Sequence, residues 1–182
     1  ATLPGYDGYP FAARISEVIG VPVVLEHDGH AAAYGEWKQG AGRGFDDFVY
    51  LTISTGLGGG AIVNGQLLQG AGGMACHVGH MTVDPDGPLC GCGNRGCWEM
   101  LASGTSLLAR ARRLAKSRGH GLEGRSADTI ETVDIFNAAR TGDQFACELV
   151  TDEASWLGLG IVNLMHLFNP ARFVIGGGVS NN

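Results

Sequence analysis

Three cysteines and a histidine fall within eighteen residues, as His80-x9-Cys90-x-Cys92-x4-Cys97. Three thiolates and one imidazole make a closed donor set of the kind that holds tetrahedral Zn²⁺ in structural sites. Gly91, Gly93 and Gly96 between the cysteines let the backbone wrap closely around an ion. Unligated buried thiols are the alternative reading of the same residues. A chain tied this way folds residues 70–98 as a loop around a centre, and whatever precedes and follows must be built on that. Cys76 and Cys147 lie outside the set and read as small core residues.

Regular elements flank this loop on both sides. Apolar residues at helical spacing run over 9–19 and stop at Gly20. The β-branched run Val21–Leu25 reads as a strand. Asp28 then stands where it can cap a helix over Gly29–Gln39, with Gly40 as the stop. Phe48–Ser54 is the clearest strand in the chain. It leads into a glycine turn over Thr55–Gly60, a strand Gly60–Val63, the hairpin pair Asn64-Gly65 and a returning strand Gln66–Gln69. After the loop, helical spacing resumes over Thr105–Ser117, Val133–Arg140 and Asp143–Phe168, the last interrupted by Gly158 and Gly160. Arg172–Ile175 is a final strand running into Gly176-Gly177-Gly178. Strands alternating with helices, plus one meander, predict an α/β layered domain.

Composition narrows the function. Eighteen acidic against twelve basic residues give a net charge of −6, which argues against a nucleic-acid surface on this chain, since neutralising phosphates needs clustered positive charge. No apolar run approaches the roughly 18 residues of a membrane span, and no signal peptide is visible, so the cytoplasm is the expected compartment. The 31 glycines are grouped. One group, Ser54-Thr55-Gly56-Leu57-Gly58-Gly59-Gly60, offers backbone N–H groups that can hold phosphate oxygens, or is simply a mobile loop. It is neither a Walker A loop nor a dinucleotide fingerprint. A second group, Glu26-His27-Asp28-Gly29-His30, puts a carboxylate at a strand end. There Asp28 is either a helix cap or a group aimed at a ligand.

The stretch Gly70–Glu99 (GAGGMACHVGHMTVDPDGPLCGCGNRGCWE) resembles the signature of the ROK family of bacterial sugar kinases and sugar-responsive repressors. The likeness runs from Leu3-Pro4-Gly5 to Gly176-Gly177-Gly178-Val179-Ser180. It implies an actin-like ATPase (hexokinase, ribonuclease H-like) core with an inserted structural zinc loop. By the resemblance Asp28 is the catalytic base, and His27, Asp28, His77, His80 and Glu99 surround a hexose or N-acyl hexosamine. Thr55, Gly56 and Gly58 match the second phosphate loop, and Gly176 and Gly177 the nucleotide turn. His80, Cys90, Cys92 and Cys97 match the zinc ligands, with Mg²⁺ and ATP expected only for a complete kinase. A homodimer is also expected. The sequence departs from the family pattern at His27, His30 and His77, where Asn, Asn and Glu are usual. Its 182 residues hold no Asp-x-Gly-Gly-Thr motif. The resemblance therefore implies the larger lobe over 1–182, inactive as a kinase by itself, with the N-terminal lobe and the C-terminal return helix outside it. The effector domain of a sugar-sensing repressor is the alternative.

Overall fold

The computed structural model describes residue 6 and residues 8–180. Leu3-Pro4-Gly5, where the resemblance begins, lie outside the described residues. Among the described residues five α-helices and four strands occur: α1 (Phe11–Ile19), α2 (Asp28–Gln39), β1 (Phe48–Ile53), β2 (Leu57–Val63), β3 (Gln66–Leu67), α3 (Gly104–Arg118), α4 (Thr132–Arg140), α5 (Gln144–Phe168) and β4 (Arg172–Gly176). The sheet order is β3-β2-β1-β4. β1 pairs antiparallel with β2 and parallel with β4.

β1 is apolar at nearly every position because both of its faces are covered. Phe48 packs with Ile62, Val174 and, from α2, Trp37. Val49 and Leu51 point the other way, into a cluster with Trp98 and, from α5, Leu164. The result is a helix–sheet–helix sandwich, the α/β layering expected from the alternating elements. A separate helical cluster of Leu107, Ala111, Ile130, Ile135, Phe145 and Leu149 joins α3, α4 and the start of α5.

The glycine turn is shorter than its composition suggests. β2 begins at Leu57, and Thr52 faces Gly58, Leu51 faces Gly59 and Tyr50 faces Gly60. Only Ser54-Thr55-Gly56 remain as the bend, closed by the Ser54 N–H donating to the Gly56 carbonyl at 2.9 Å. The glycines serve packing instead. A Cβ on Gly60 would stand 2.8 Å from the Ala33 Cβ, and one on Gly29 would stand 2.3 Å from the Gly59 carbonyl oxygen. Helix α2 therefore lies directly on the β2 backbone.

Four local expectations change. Val21–Leu25 is not a strand: no strand pairs with it among the described residues, and Val24 is 86% exposed. Asp28 is the first residue of α2, and the cap position belongs to His27, whose side chain makes no cap bond. The returning strand β3 is two residues long, although Asn64 and Gly65 take the positive φ values that a tight hairpin needs. α5 continues unbroken through Gly158 and Gly160. A Cβ on Gly160 would fall 2.0 Å from Cε2 of Trp98, so glycine is there for the indole. Asn169, in the left-handed region at φ 42°, ends that helix ahead of Pro170.

Candidate functional site

The strand ends and loop ends around the Ser54–Gly56 bend enclose a cavity of about 380 Å³. His27 and Asp28 enter it from the head of α2. Thr55, Gly56 and Gly58 come from the β1–β2 bend, His77 and His80 from the loop, and Glu99 from the turn after Cys97. Eight predicted residues from four separate segments thus line one space. Ser54 and Leu57 of the glycine-rich group line it too, and so do Thr52 and Gly79, which were not singled out from sequence. Thr52 could have been found, as a polar residue two positions before the end of the strongest strand.

Glu99 sits 3.5 Å from His80 through Oε1 and Nδ1. The Asp28 carboxylate is almost fully exposed, accepts from the Gly29 N–H at 2.8 Å, and lies 3.3 Å from His27 Nε2. His27 and His77 face each other at a tilt of 31°, with ring centroids 4.2 Å apart. Burial holds His77 below the usual histidine range, helped by the nearby charges of His27, His80 and His30. Behind them His30 is fully buried and bonds to Glu26 Oε1 at 3.0 Å and to the Ala75 carbonyl at 2.7 Å. This tie between the head of α2 and the loop was not foreseen. Nothing in local spacing marks a contact 45 residues long.

Gly176 and Gly177 lie apart from this cavity, at the end of β4. Gly177 has φ 100° and its Cα side packs on the Ile53 backbone. The residues that follow reach the other side of the same bend. Ser54, Thr55, Gly104, Thr105, Gly178 and Val179 line a neighbouring cavity of about 430 Å³. The Gly104 N–H donates to Ser54 O at 2.8 Å and the Val179 N–H to Ile53 O at 2.9 Å, so α3 and the β4 exit brace the bend.

The four predicted metal ligands converge. His80, Cys90, Cys92 and Cys97 offer ligand atoms that all lie within 4.8 Å of one another. Cys92 and Cys97 sulfurs are 3.5 Å apart, and Cys90 Sγ is 3.7 Å from His80 Nδ1. Four donors at bond lengths near 2.3 Å around a tetrahedral ion stand about 3.8 Å apart, so the spacing fits a metal. The thiols are tuned unequally: burial pushes Cys97 up to about 12, while the Asn94 backbone draws Cys92 down. A cation would supply the compensation that a buried thiolate needs. The loop is tight enough to require glycine at Gly96, where φ is 63° and a Cβ would fall 1.4 Å from the Asp84 carbonyl.

The sequence model described as the ROK family matches residues 2–182. The chain is 40% identical to a glucokinase of Streptomyces coelicolor over 94% of this chain and 56% of that protein. It is 36% identical to the xylose repressor of Bacillus subtilis over 90% of this chain and 39% of that protein. A ROK family glucokinase from Streptomyces griseus, solved in complex with glucose and AMPPNP, superposes with a TM-score of 0.85 at 44% identity, covering 94% of this chain and 57% of that one. The chain spans about half the length of the kinases it matches. Among the described residues no helix is long and apolar enough to cross a membrane.

Proposed function

The chain belongs to the ROK family, and from that premise we propose that it supplies the sugar site and one phosphate-binding bend of an ATP-dependent sugar kinase acting on a hexose or N-acyl hexosamine. The observation that carries this reading is the single cavity shared by Asp28, His80, Glu99 and the Ser54–Gly58 segment. Carboxylates and imidazoles there can accept from and donate to sugar hydroxyls. Asp28 stands exposed at the rim, where its carboxylate can take the hydroxyl proton. The Thr55–Gly58 backbone lies between that carboxylate and the second cavity, which runs toward Gly178. Bound Mg·ATP would supply the phosphoryl group, and Thr55, Gly56, Gly176 and Gly177 are the residues we assign to hold it. Such transfer depends on positioning and on charge stabilisation from both sides of the phosphates. His80, Cys90, Cys92 and Cys97 would hold a structural Zn²⁺, which fixes His80 at the cavity wall.

The test joins this chain to the remaining length of a glucokinase relative. That protein should phosphorylate a hexose with ATP, and Asp28→Asn should cut kcat by about 10²–10⁴-fold with little change in sugar affinity. The 182 residues alone, holding one phosphate bend, should show almost no turnover. Undiminished kcat in the Asp28→Asn protein would overturn the reading.

A second reading, the effector domain of a sugar-responsive repressor, draws support from the paired His27 and His77. Two imidazoles line the cavity where the family pattern has an amide and a carboxylate, which favours binding a sugar over the kinase chemistry. ATP-independent sugar binding, with no turnover in the joined protein, would favour it.

A further inference from the structure

A third cavity, of about 580 Å³, lies across Gly56 and Glu99 from the first. The two share Thr55, Gly56 and Glu99 as a common wall. That wall is thin because residue 56 carries no side chain: a Cβ there would stand 3.2 Å from Glu99 Oε2. The far side is walled by Pro88 of the metal loop, Met100, Leu101 and Ala109, with Ser106 and Arg113 of α3 at its edge. Its surface is chiefly carbon, with hydroxyl and guanidinium donors at the margins. Other cations of α3 are already committed: Arg112 to the Ile130 carbonyl, Lys116 to Asp128 and Arg118 to Glu148. Arg113 has no ion pair or hydrogen bond among the described residues.

A sugar ring has this same division of chemistry, with C–H faces and a rim of hydroxyls. A phosphate would want several cations, and Arg113 alone is uncommitted. An acetyl group would leave most of a cavity this size empty, and cavities of roughly 300–1,000 Å³ are those that enclose whole ligands. We propose that this cavity is a second sugar subsite, so that the cleft takes a hexose bearing a second ring, with Glu99 at the junction of the two. The inference rests on the reading that the first cavity holds a hexose.

Calorimetric titration of the full chain with glucose, maltose and cellobiose tests it. At least one disaccharide should bind tenfold or more tighter than glucose. Ala109 is exposed on α3, so Ala109→Trp can fill the cavity without disturbing the core. It should abolish the gain and leave glucose affinity within twofold. Arg113→Ala should reduce disaccharide affinity three- to tenfold with glucose unchanged. Glucose binding without any gain from either disaccharide overturns the subsite alone, as does a gain that survives Ala109→Trp. Failure of all three sugars to bind overturns the hexose reading, and the subsite with it.

Discussion

Glu26 and His30 meet at 3.0 Å across the head of α2, and the same buried imidazole holds the Ala75 carbonyl at 2.7 Å. Each ring nitrogen has its own partner, one on either side of the imidazole. The histidine thus ties the segment that carries Asp28 to the loop that carries His77 and His80.

His30→Ala would remove a fully buried side chain together with its bond to the Ala75 carbonyl, and should lower the stability of the fold. Urea unfolding at neutral pH measures it. Hydrogen bonds from His30 and the His27 backbone hold the Glu26 carboxyl below its ordinary value. Its contribution is therefore present above that ordinary value and lost as the pH falls through the lowered one. Glu26→Gln should remove this acid-side decline from the curve of stability against pH, and an unchanged curve would show the pair to be inert.

Metal content is the next measurement. Protein purified under reducing, chelator-free conditions should carry one Zn²⁺ per chain, and Cys92→Ser should release it. Because binding energy at such sites is partly folding energy, the variant should also melt lower than the parent. Gly96→Ala should do the same without touching a ligand, since its methyl group meets the Asp84 backbone. Zinc-free parent protein would refute the assignment.

Gly160→Ala offers a test of packing against propensity. Alanine is favoured over glycine in a helix by about 1 kcal/mol, so the helix alone predicts stabilisation. The Cβ would instead overlap the fully buried Trp98, whose indole N–H donates to the Trp156 carbonyl at 2.8 Å. Overpacking of this kind costs about 1–3 kcal/mol, and a lowered midpoint in thermal unfolding is the expected result.

Glu153 gives a pH dependence of opposite sense to Glu26. Burial pushes its carboxyl up to about 7 although Arg110 stands 2.7 Å away. Between the ordinary value and about 7 the folded chain holds a proton that the unfolded chain releases. Stability should therefore fall as the pH rises through that window and level off above it. Glu153→Gln should flatten the decline. Arg110→Ala, which removes the group that holds the carboxyl's value down, should move that decline to higher pH.

What was legible from sequence follows local physics. β1 announced itself because both faces of FVYLTI are buried, and the Cys/His set because ligand spacing is chemical and short in range. Val21–Leu25 misled because β-branched residues mark a strand only where another strand pairs with them, and here Val24 faces solvent. The bend was drawn too wide because glycine suggests turns, whereas Gly59 and Gly60 lie inside β2, Gly59 against the Tyr50 carbonyl and Gly60 against α2. His30 with Ala75 and Gly160 with Trp98 are contacts between distant segments, and no local pattern encodes them.

Thr55 borders all three cavities around the bend. The bend is three residues long and braced from α3 and from the β4 exit, so only an occupant that displaced it against those braces would reshape the other two. Ligands that displaced it would have linked affinities, and the linkage would be reciprocal: whatever factor one imposed on a second, the second would return to the first. One peptide segment thus serves as the balance point of the whole cleft.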